Sequence, residues 1–457
     1  MRPRAFLFDA PPVHLRSPAA VGLATAVGAA LLYAVGWGRA FSFDASRTVA
    51  HFVTAGSWGD VLGQDRFNNH PLLSLLDHLV FRLTGSADER LLRVVPIAFG
   101  AAAVGIVAAV VTRRFGTLAG AVAGATLATN ALVLRQFREV RGYSLVVLAV
   151  VVATLLLARM VRGDRRPGVA TAYAAALFVA VGTHLFALGV VVVHVLAVVG
   201  ARRPLDRRWL AAWALPVAAA ASVQAPGLID GLGTPPAYQF APLFPLRLAG
   251  SLLGGPMLPA MAVLVAAGAW AFRDRADVRW GLGAAAGLAG AAWLAGPSWL
   301  DSRFFVWLVP LAPVAAAAAV ARRPGLAWVA VAGMAANLAV VAPHLTADEV
   351  PNRTAAALVA RAQAGGREVC ALGRTRAGLL AYVEDVRAVW NPLELSGCDV
   401  AVEAAGPRRQ PLLDPACRRF AYVRVLPARH PGAVFADRPL DADPAWRRTA
   451  GAAPCGR

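Results

Sequence analysis

Residues 135–166 read RQFREVRGYSLVVLAVVVATLLLARMVRGDRR: a charged cluster, a nearly unbroken apolar run over 143–160, and a second charged cluster. A helix satisfies its own backbone groups in lipid, and about 17 to 20 residues take it across the hydrocarbon. The same alternation recurs along the chain. Apolar runs lie near 18–38, 94–111, 117–134, 169–183, 185–200, 209–223, 250–271, 280–296, 304–320 and 325–342. The pattern predicts a polytopic α-helical membrane protein with about eleven transmembrane helices. The runs at 169–183, 185–200 and 209–223 are shorter than a full crossing, so their ends are the least sharply drawn. The 457 residues are 58% hydrophobic and 16% charged, with a mean hydropathy of +0.57, too apolar for a soluble protein of this length.

Charge orients the spans. All 45 basic residues are arginine. Clusters at Arg113–Arg114, Arg159 to Arg166, Arg202 to Arg208, Arg273 to Arg279 and Arg322–Arg323, with Arg2, Arg4 and Arg16, fall between alternate spans and read as cytoplasmic. The +19 net charge is therefore largely topological and gives no reason to expect a nucleic-acid partner. No convincing small-residue cleavage site follows the first apolar run, which reads as an uncleaved first span.

An odd number of spans places residues 343–457 outside. All four cysteines, Cys370, Cys398, Cys417 and Cys455, lie there, which suits an oxidising compartment. Short β-like runs at Glu368–Leu372 and Phe420–Leu426, between polar and Pro-rich turns, predict a small extracytoplasmic α/β domain. The expected division is thus a transmembrane domain over 1–342 and an extracytoplasmic domain over 343–457. The expected location is the cytoplasmic (plasma) membrane, multi-pass, among membrane lipids.

The outer loops hold the chemically interesting residues. The loop 41–90 opens with Phe41-Ser42-Phe43-Asp44, an acid at the lip of a span, which is costly to bury and faces a cavity or water. Farther on, Asn68-Asn69-His70-Pro71-Leu72-Leu73 runs into Leu75, Leu76, Leu79, Val80 and Leu83. This is an apolar face for a helix on the membrane surface, with Asp77, His78 and Arg82 expected on its solvated side. The compact loop Arg135 to Tyr143 sets Arg138 and Arg141 around Glu139 against the positive-inside trend, which suits an anionic ligand. Trp299 to Phe304 adds Arg303, and His184 stands between two short spans while His194 reads as span-interior. The loop at 225–249 is too rich in Gly and Pro for regular structure and reads as a flexible cover.

Taken in order, Asp44, Asn69-His70-Pro71-Leu72-Leu73, Asp88-Glu89-Arg90-Leu91-Leu92-Arg93 and Arg138-Glu139-Val140-Arg141-Gly142-Tyr143-Ser144-Leu145 resemble a known family. It is that of the GT-C fold polyprenyl-phosphate-dependent membrane glycosyltransferases, the protein O-mannosyltransferases and aminoarabinose transferases. The resemblance runs over about 18–320, and Arg303-Phe304 fits the family's late Arg-aromatic pair. There are three departures. Ala45 replaces the acid usual after the first Asp, Leu72 a second proline after His70, and Gly142 the proline after Arg141.

The resemblance implies a glycosyltransferase that moves a sugar from a polyprenyl-phosphate donor to a hydroxyl acceptor, on a glycan, lipid or protein. It implies Asp44 as base, with Glu139 as its partner or as the residue that orients Arg141. Donor phosphate would meet Arg138, Arg141, Arg303 and His70. Some relatives hold a divalent cation; here Asp44, Glu139 and His70 are the candidate ligands, and Ala45 weakens that case. Simpler roles stay open, with Asp44 a helix cap, Glu139 a salt-bridge partner, His70 a helix start and Arg303 an interface anchor. A transporter or lipid-carrier flippase is the rival class, although its charges belong in broken mid-membrane helices. A non-catalytic cell-wall scaffold is the third.

Overall fold

The computed structural model describes residues 17–63, 70–201, 207–233, 242–272, 276–295, 300–345, 352–372, 378–383, 386–389 and 398–404, with short strands at 413–414, 421–425 and 441–442. The pair Asn68-Asn69, Cys417, Cys455 and residues 234–241 of the Gly/Pro-rich loop lie outside the described residues. The chain forms two compact units. One comprises 1–35, 57–80 and 92–342; the other comprises 36–56, 81–91 and 343–457. The division differs from a single cut at 342: both ends of the first long loop belong with the C-terminal region.

In the first unit the apolar runs are helical over most of their described residues. Glu89–Phe115, Tyr143–Val161 and Pro324–Leu345 are each long and apolar enough to cross a membrane. Two further pairs, Phe244–Leu252 with Gly255–Trp270 and Ser302–Leu308 with Leu311–Arg322, qualify as spans bent by 85° and 45°. Pro18–Ala34, Thr117–Thr129, Pro167–Thr183, Leu185–Gly200 and Leu282–Leu294 are shorter apolar helices. Small residues let the helices approach. A Cβ on Gly22 would stand 2.8 Å from the Gly105 carbonyl, and one on Gly105 would stand 2.7 Å from that of Gly22.

The breaks are stitched by uncharged groups. Gly254 and Gly255 turn at φ of 94° and 62°, a region that favours glycine. Asn130 donates to the freed carbonyls of Ser251 (3.4 Å) and Leu252 (3.1 Å), while its own carbonyl accepts from Leu132 (2.9 Å) and Val133 (3.2 Å). Asn337 donates to the Thr129 carbonyl. Farther down, Trp213 Nε1 donates to the Tyr173 hydroxyl (2.9 Å), which meets His194 Nδ1 (3.0 Å), while His194 Nε2 meets Thr154 (3.1 Å). His194 is a satisfied span-interior residue.

Two local expectations are corrected. The helix Pro71–Thr84 buries Ser74, Asp77 and His78 while exposing Leu79 and Leu83. The polar stripe faces protein because the apolar face is the one suited to lipid. Trp58 packs edge-on against His78 at 4.7 Å, and burial pushes the Asp77 carboxyl well above its ordinary range. The helix Arg207–Gly233 also continues through Pro226, Gly227 and Gly231. Leu228, Ile229 and Leu232 keep a helical spacing there despite the poor propensities around them.

In the second unit, strands Arg387–Val389, Val369–Leu372, Val400–Ala404 and Ala421–Val425 form a parallel sheet in that order. Helix Asn352–Ala364 lays Ala355, Ala356 and Val359 against Val369, Ala371, Val400 and Val402. Cys370 and Cys398 form a disulfide that ties one strand to the approach of its neighbour.

Replacing Asn130 by Ala removes four hydrogen bonds at two helix breaks. The expected loss is about 2 kcal/mol of stability, read as a lowered thermal midpoint of the purified protein in detergent. An unchanged midpoint would show that the breaks do not depend on this side chain.

Candidate active site

The loop 137–142 is built from the helix ends beneath it. Phe137 fills the space over Gly100, where a Cβ would lie 3.0 Å from the Phe137 Cβ, and meets Tyr33 edge-on at 5.9 Å. Arg138 is 1% exposed. Its Nε donates to the Tyr33 carbonyl at 3.0 Å and its Nη2 to that of Val35, the last acceptors of the first span. Arg93, fully buried, donates Nε to the Arg138 carbonyl at 3.0 Å. Two donors of Arg138 are thus committed to a helix C-terminus, where carbonyls lack intrahelical partners and the dipole favours a cation. The Glu139 side chain is buried, and its carbonyl accepts from the Arg141 amide at 2.7 Å.

Four connections meet beyond this point. His70 precedes the Pro71–Thr84 helix and Tyr143 opens the next span; their rings lie 5.0 Å apart. His184, between the helices Pro167–Thr183 and Leu188–Gly200, lies 5.0 Å from His70 and 5.5 Å from Tyr143. Phe304 is 5.5 Å from His184 and stacks on Phe186 at 4.8 Å. The Arg141 guanidinium stands 6.0 Å from the Tyr143 ring, and that of Arg303 stands 5.6 Å from Phe304. Asp301 caps the turn by accepting from the Arg303 amide at 2.9 Å, and its other oxygen is 4.0 Å from Arg303 Nε.

Glycine at 142 is what lets the loop close. Its backbone is ordinary (φ −70°), but a Cβ there would overlap Thr183 Cγ2 and lie 2.9 Å from His70 Nδ1.

Electrostatics follow from the geometry. Burial, then the Arg141 guanidinium, and also His184 and Arg303, hold His70 well below the ordinary histidine pKa. Burial, Arg141 and Arg303 bring His184 down to about 3. Both rings are neutral near pH 7. His184 Nδ1 accepts from the Phe186 amide at 3.2 Å, which leaves the proton on Nε2 as a donor. The site thus presents two guanidiniums and neutral N–H groups, a set matched to a phosphate oxygen cluster.

Among the expected residues, His70, Arg141 and Arg303 come together in the first unit, where Arg138 braces the loop. Asp44 lies in the second, in the first turn of the helix Phe43–Thr48, half-buried after a Ser42 cap. A cation site does not fit. Among the described residues no three His, Cys, Asp or Glu side chains group as metal ligands. A cation at His70 would also face Arg141 and Arg303. The residues that sequence reasoning left out of the site are His184, Phe186 and Tyr143. The available signal was a histidine set where two short apolar runs meet.

The spans, their breaks and the loop cluster define a polytopic helical membrane protein of the GT-C fold. No protein-family model matches the chain, and no curated protein matches it. Solved structures do, two of them of the same protein. One is ArnT from Cupriavidus metallidurans bound to undecaprenyl phosphate: 16% identity, 79% of this chain and 74% of that one, TM-score 0.51. The other is ArnT from the same organism in the apo state: 16% identity, 80% and 75%, TM-score 0.50. At that identity the likeness is one of fold.

Two outcomes are expected. Gly142→Ala should destabilise the protein by about 1–3 kcal/mol through overpacking, and Thr183→Ser, which removes only the clashing methyl, should restore part of the lost thermal midpoint. No restoration would place the strain elsewhere. The second concerns pH. Below about pH 6.5 an unfolded chain takes up protons that folded His70 and His184 refuse. Stability therefore falls as pH falls from there, for His184 down to about 3, by up to about 1.4 kcal/mol per pH unit for each ring. Thermal midpoints at pH 7.5 and 5 should differ less in His184→Asn than in the native protein; equal differences would rule out the ring as the source.

Proposed function

We propose that the protein is a membrane glycosyltransferase that moves one sugar from a polyprenyl-phosphate donor to a hydroxyl acceptor at the outer face of the cytoplasmic membrane. The observation that carries this reading is the convergence of Arg141, Arg303, His70 and His184 from four separate connections. All four are assigned to the same side by the arginine pattern. The GT-C fold shared with a structure bound to undecaprenyl phosphate supports it.

In this reading the donor's phosphodiester lies against Arg141 and Arg303. Asp44 takes the acceptor's hydroxyl proton as its oxygen bonds to the anomeric carbon. The bond from that carbon to the phosphate oxygen breaks, and a phosphomonoester leaves with one more negative charge. The guanidiniums, fixed before the reaction, stabilise that charge as it develops. His70 and His184 add hydrogen bonds to the phosphate without adding charge of their own. Glu139 orients Arg141, and Arg138 holds the loop to the first span. The acceptor is a glycan, lipid or protein hydroxyl, and the C-terminal domain lies outside the membrane, where the Cys370–Cys398 disulfide persists.

Transfer from radiolabelled polyprenyl-phosphate sugars in proteoliposomes tests this. Asp44→Asn should lower kcat by about 10²–10⁴-fold. Arg141→Ala should lower it by about 10²–10³-fold, and Arg141→Lys should recover little, because a point charge lacks the forked geometry. A native protein that transfers from no donor ends the enzyme reading, and scrambling of labelled carrier lipid without transfer would establish a flippase instead. Full turnover by Asp44→Asn would strip that residue of its role.

A further inference from the structure

The helix Phe43–Thr48 that carries Asp44 is only six residues long, and within its own unit it is held by residues some 300 positions along the chain. Three residues before Asp44, both backbone groups of buried Phe41 are taken. Its amide donates to the Tyr382 hydroxyl at 2.7 Å, and its carbonyl accepts from Asn352 Nδ2 at 2.9 Å. Two residues after Asp44, buried Ser46 donates Oγ to the Gly378 carbonyl at 2.8 Å and accepts from the Ala381 amide at 3.1 Å. The Phe41 and Tyr382 rings lie 5.9 Å apart.

The grip is itself anchored. Tyr382 donates to Glu89 Oε1 at 2.8 Å, and the same oxygen takes Arg353 Nη2 at 2.5 Å and Nε at 3.2 Å. Arg353 also reaches the Gly38 carbonyl at 2.8 Å. A chain of donors thus runs from the Phe41 amide through one phenol to one carboxylate. Burial, with the Glu89 carboxylate beside it, keeps that phenol protonated, so it accepts and donates at once. Gly378 belongs to the same fit, since a Cβ there would stand 2.5 Å from Asn352 Oδ1.

We propose that Tyr382, with Asn352 and the 378–382 turn, is a positioning element for Asp44: the C-terminal region sets where the candidate base stands. Hydrogen bonds on both sides of a short helix fix its translation and its rotation, the two freedoms that decide whether a carboxylate reaches a hydroxyl. A displacement of about 1 Å at a reacting group can cost about 100-fold in rate. This inference rests on the glycosyltransferase reading above.

The test is Tyr382→Phe in the full-length protein, which keeps the ring on Phe41 and removes only the hydroxyl. With polyprenyl-phosphate sugars in proteoliposomes, kcat per folded molecule should fall about tenfold or more, while the donor KM stays within about twofold. Hydrogen–deuterium exchange should rise in peptides covering 41–48 and stay unchanged in those covering 138–145. Ser46→Ala should show the same split and carries the test if Tyr382→Phe does not fold. Native-like kcat in a folded variant, or unchanged exchange at 41–48, overturns the inference. A parallel fall in yield alone, with kcat per folded molecule intact, marks a merely structural contact and overturns it too. A native protein with no transfer from any donor defeats the underlying enzyme reading, a result distinct from an active native protein beside an equally active variant.

Discussion

The guanidinium of Arg138 against the carbonyl end of the first span is the contact on which the site's architecture depends. A cation buried to this degree is tolerated only where acceptors surround it, and the last carbonyls of a helix are acceptors without partners. The pairing satisfies both at once. It also fixes a loop in which two residues, Glu139 and Val140, separate this brace from Arg141. Arg93 closes the arrangement by donating to the Arg138 carbonyl, so two buried arginines, one from a helix and one from the loop, share one corner.

With the loop fixed, the neighbouring rings acquire their character. An imidazole beside two guanidiniums gains little from protonation, and removal from water adds to the penalty. His70 and His184 are consequently neutral donors at neutral pH, with no charge to compete with Arg141 and Arg303 for an anion. A second property follows. In the proposed reading, a phosphate bound there would supply the negative charge that these rings lack, and their basicity would rise with the site filled. The same logic disfavours a metal ion at His70, where the nearest charges are already positive.

Much of this was legible in one dimension. Runs of apolar residues at the right length marked the helices, because lipid leaves no other way to satisfy the backbone. Arginine alternation placed Arg141, His184 and Arg303 on one side. Within the β-like stretches at Glu368–Leu372 and Phe420–Leu426, Val369–Leu372 and Ala421–Val425 are strands. Other features were hidden for physical reasons. Asp77 and His78 looked solvated because periodicity shows which residues share a face but not whether lipid or protein covers it. Arg138 and Arg141 are alike in sequence, and only the reach of Arg138 to the Tyr33 and Val35 carbonyls shows which of the two braces the first span. The contacts of 36–56 and 81–91 with the C-terminal region include single hydroxyl and amide hydrogen bonds and the Arg353–Glu89 ion pair, which leave no periodic trace.

Two of the departures from the glycosyltransferase pattern, at 72 and 142, make sense as a matched pair. Leu72, in place of a proline, lies against the C-terminal turn of the helix Pro167–Thr183, where a Cβ on Gly182 would stand 3.1 Å from its Cδ1. Gly142, in place of another proline, approaches the next residue of that turn, Thr183, and His70 as well. A proline ring at 142 would meet the same methyl that an alanine Cβ does, so the larger side chain at 72 and the missing one at 142 are two sides of one packing problem around Gly182–Thr183. Ala45 is separate. It is fully buried, with its amide capped by Ser42 at 3.3 Å. A carboxylate at 45 would have to be buried, which is costly, and the small side chain lets the short helix pack tightly. The changes at 72 and 142 thus preserve the packing around the loop that carries Arg141.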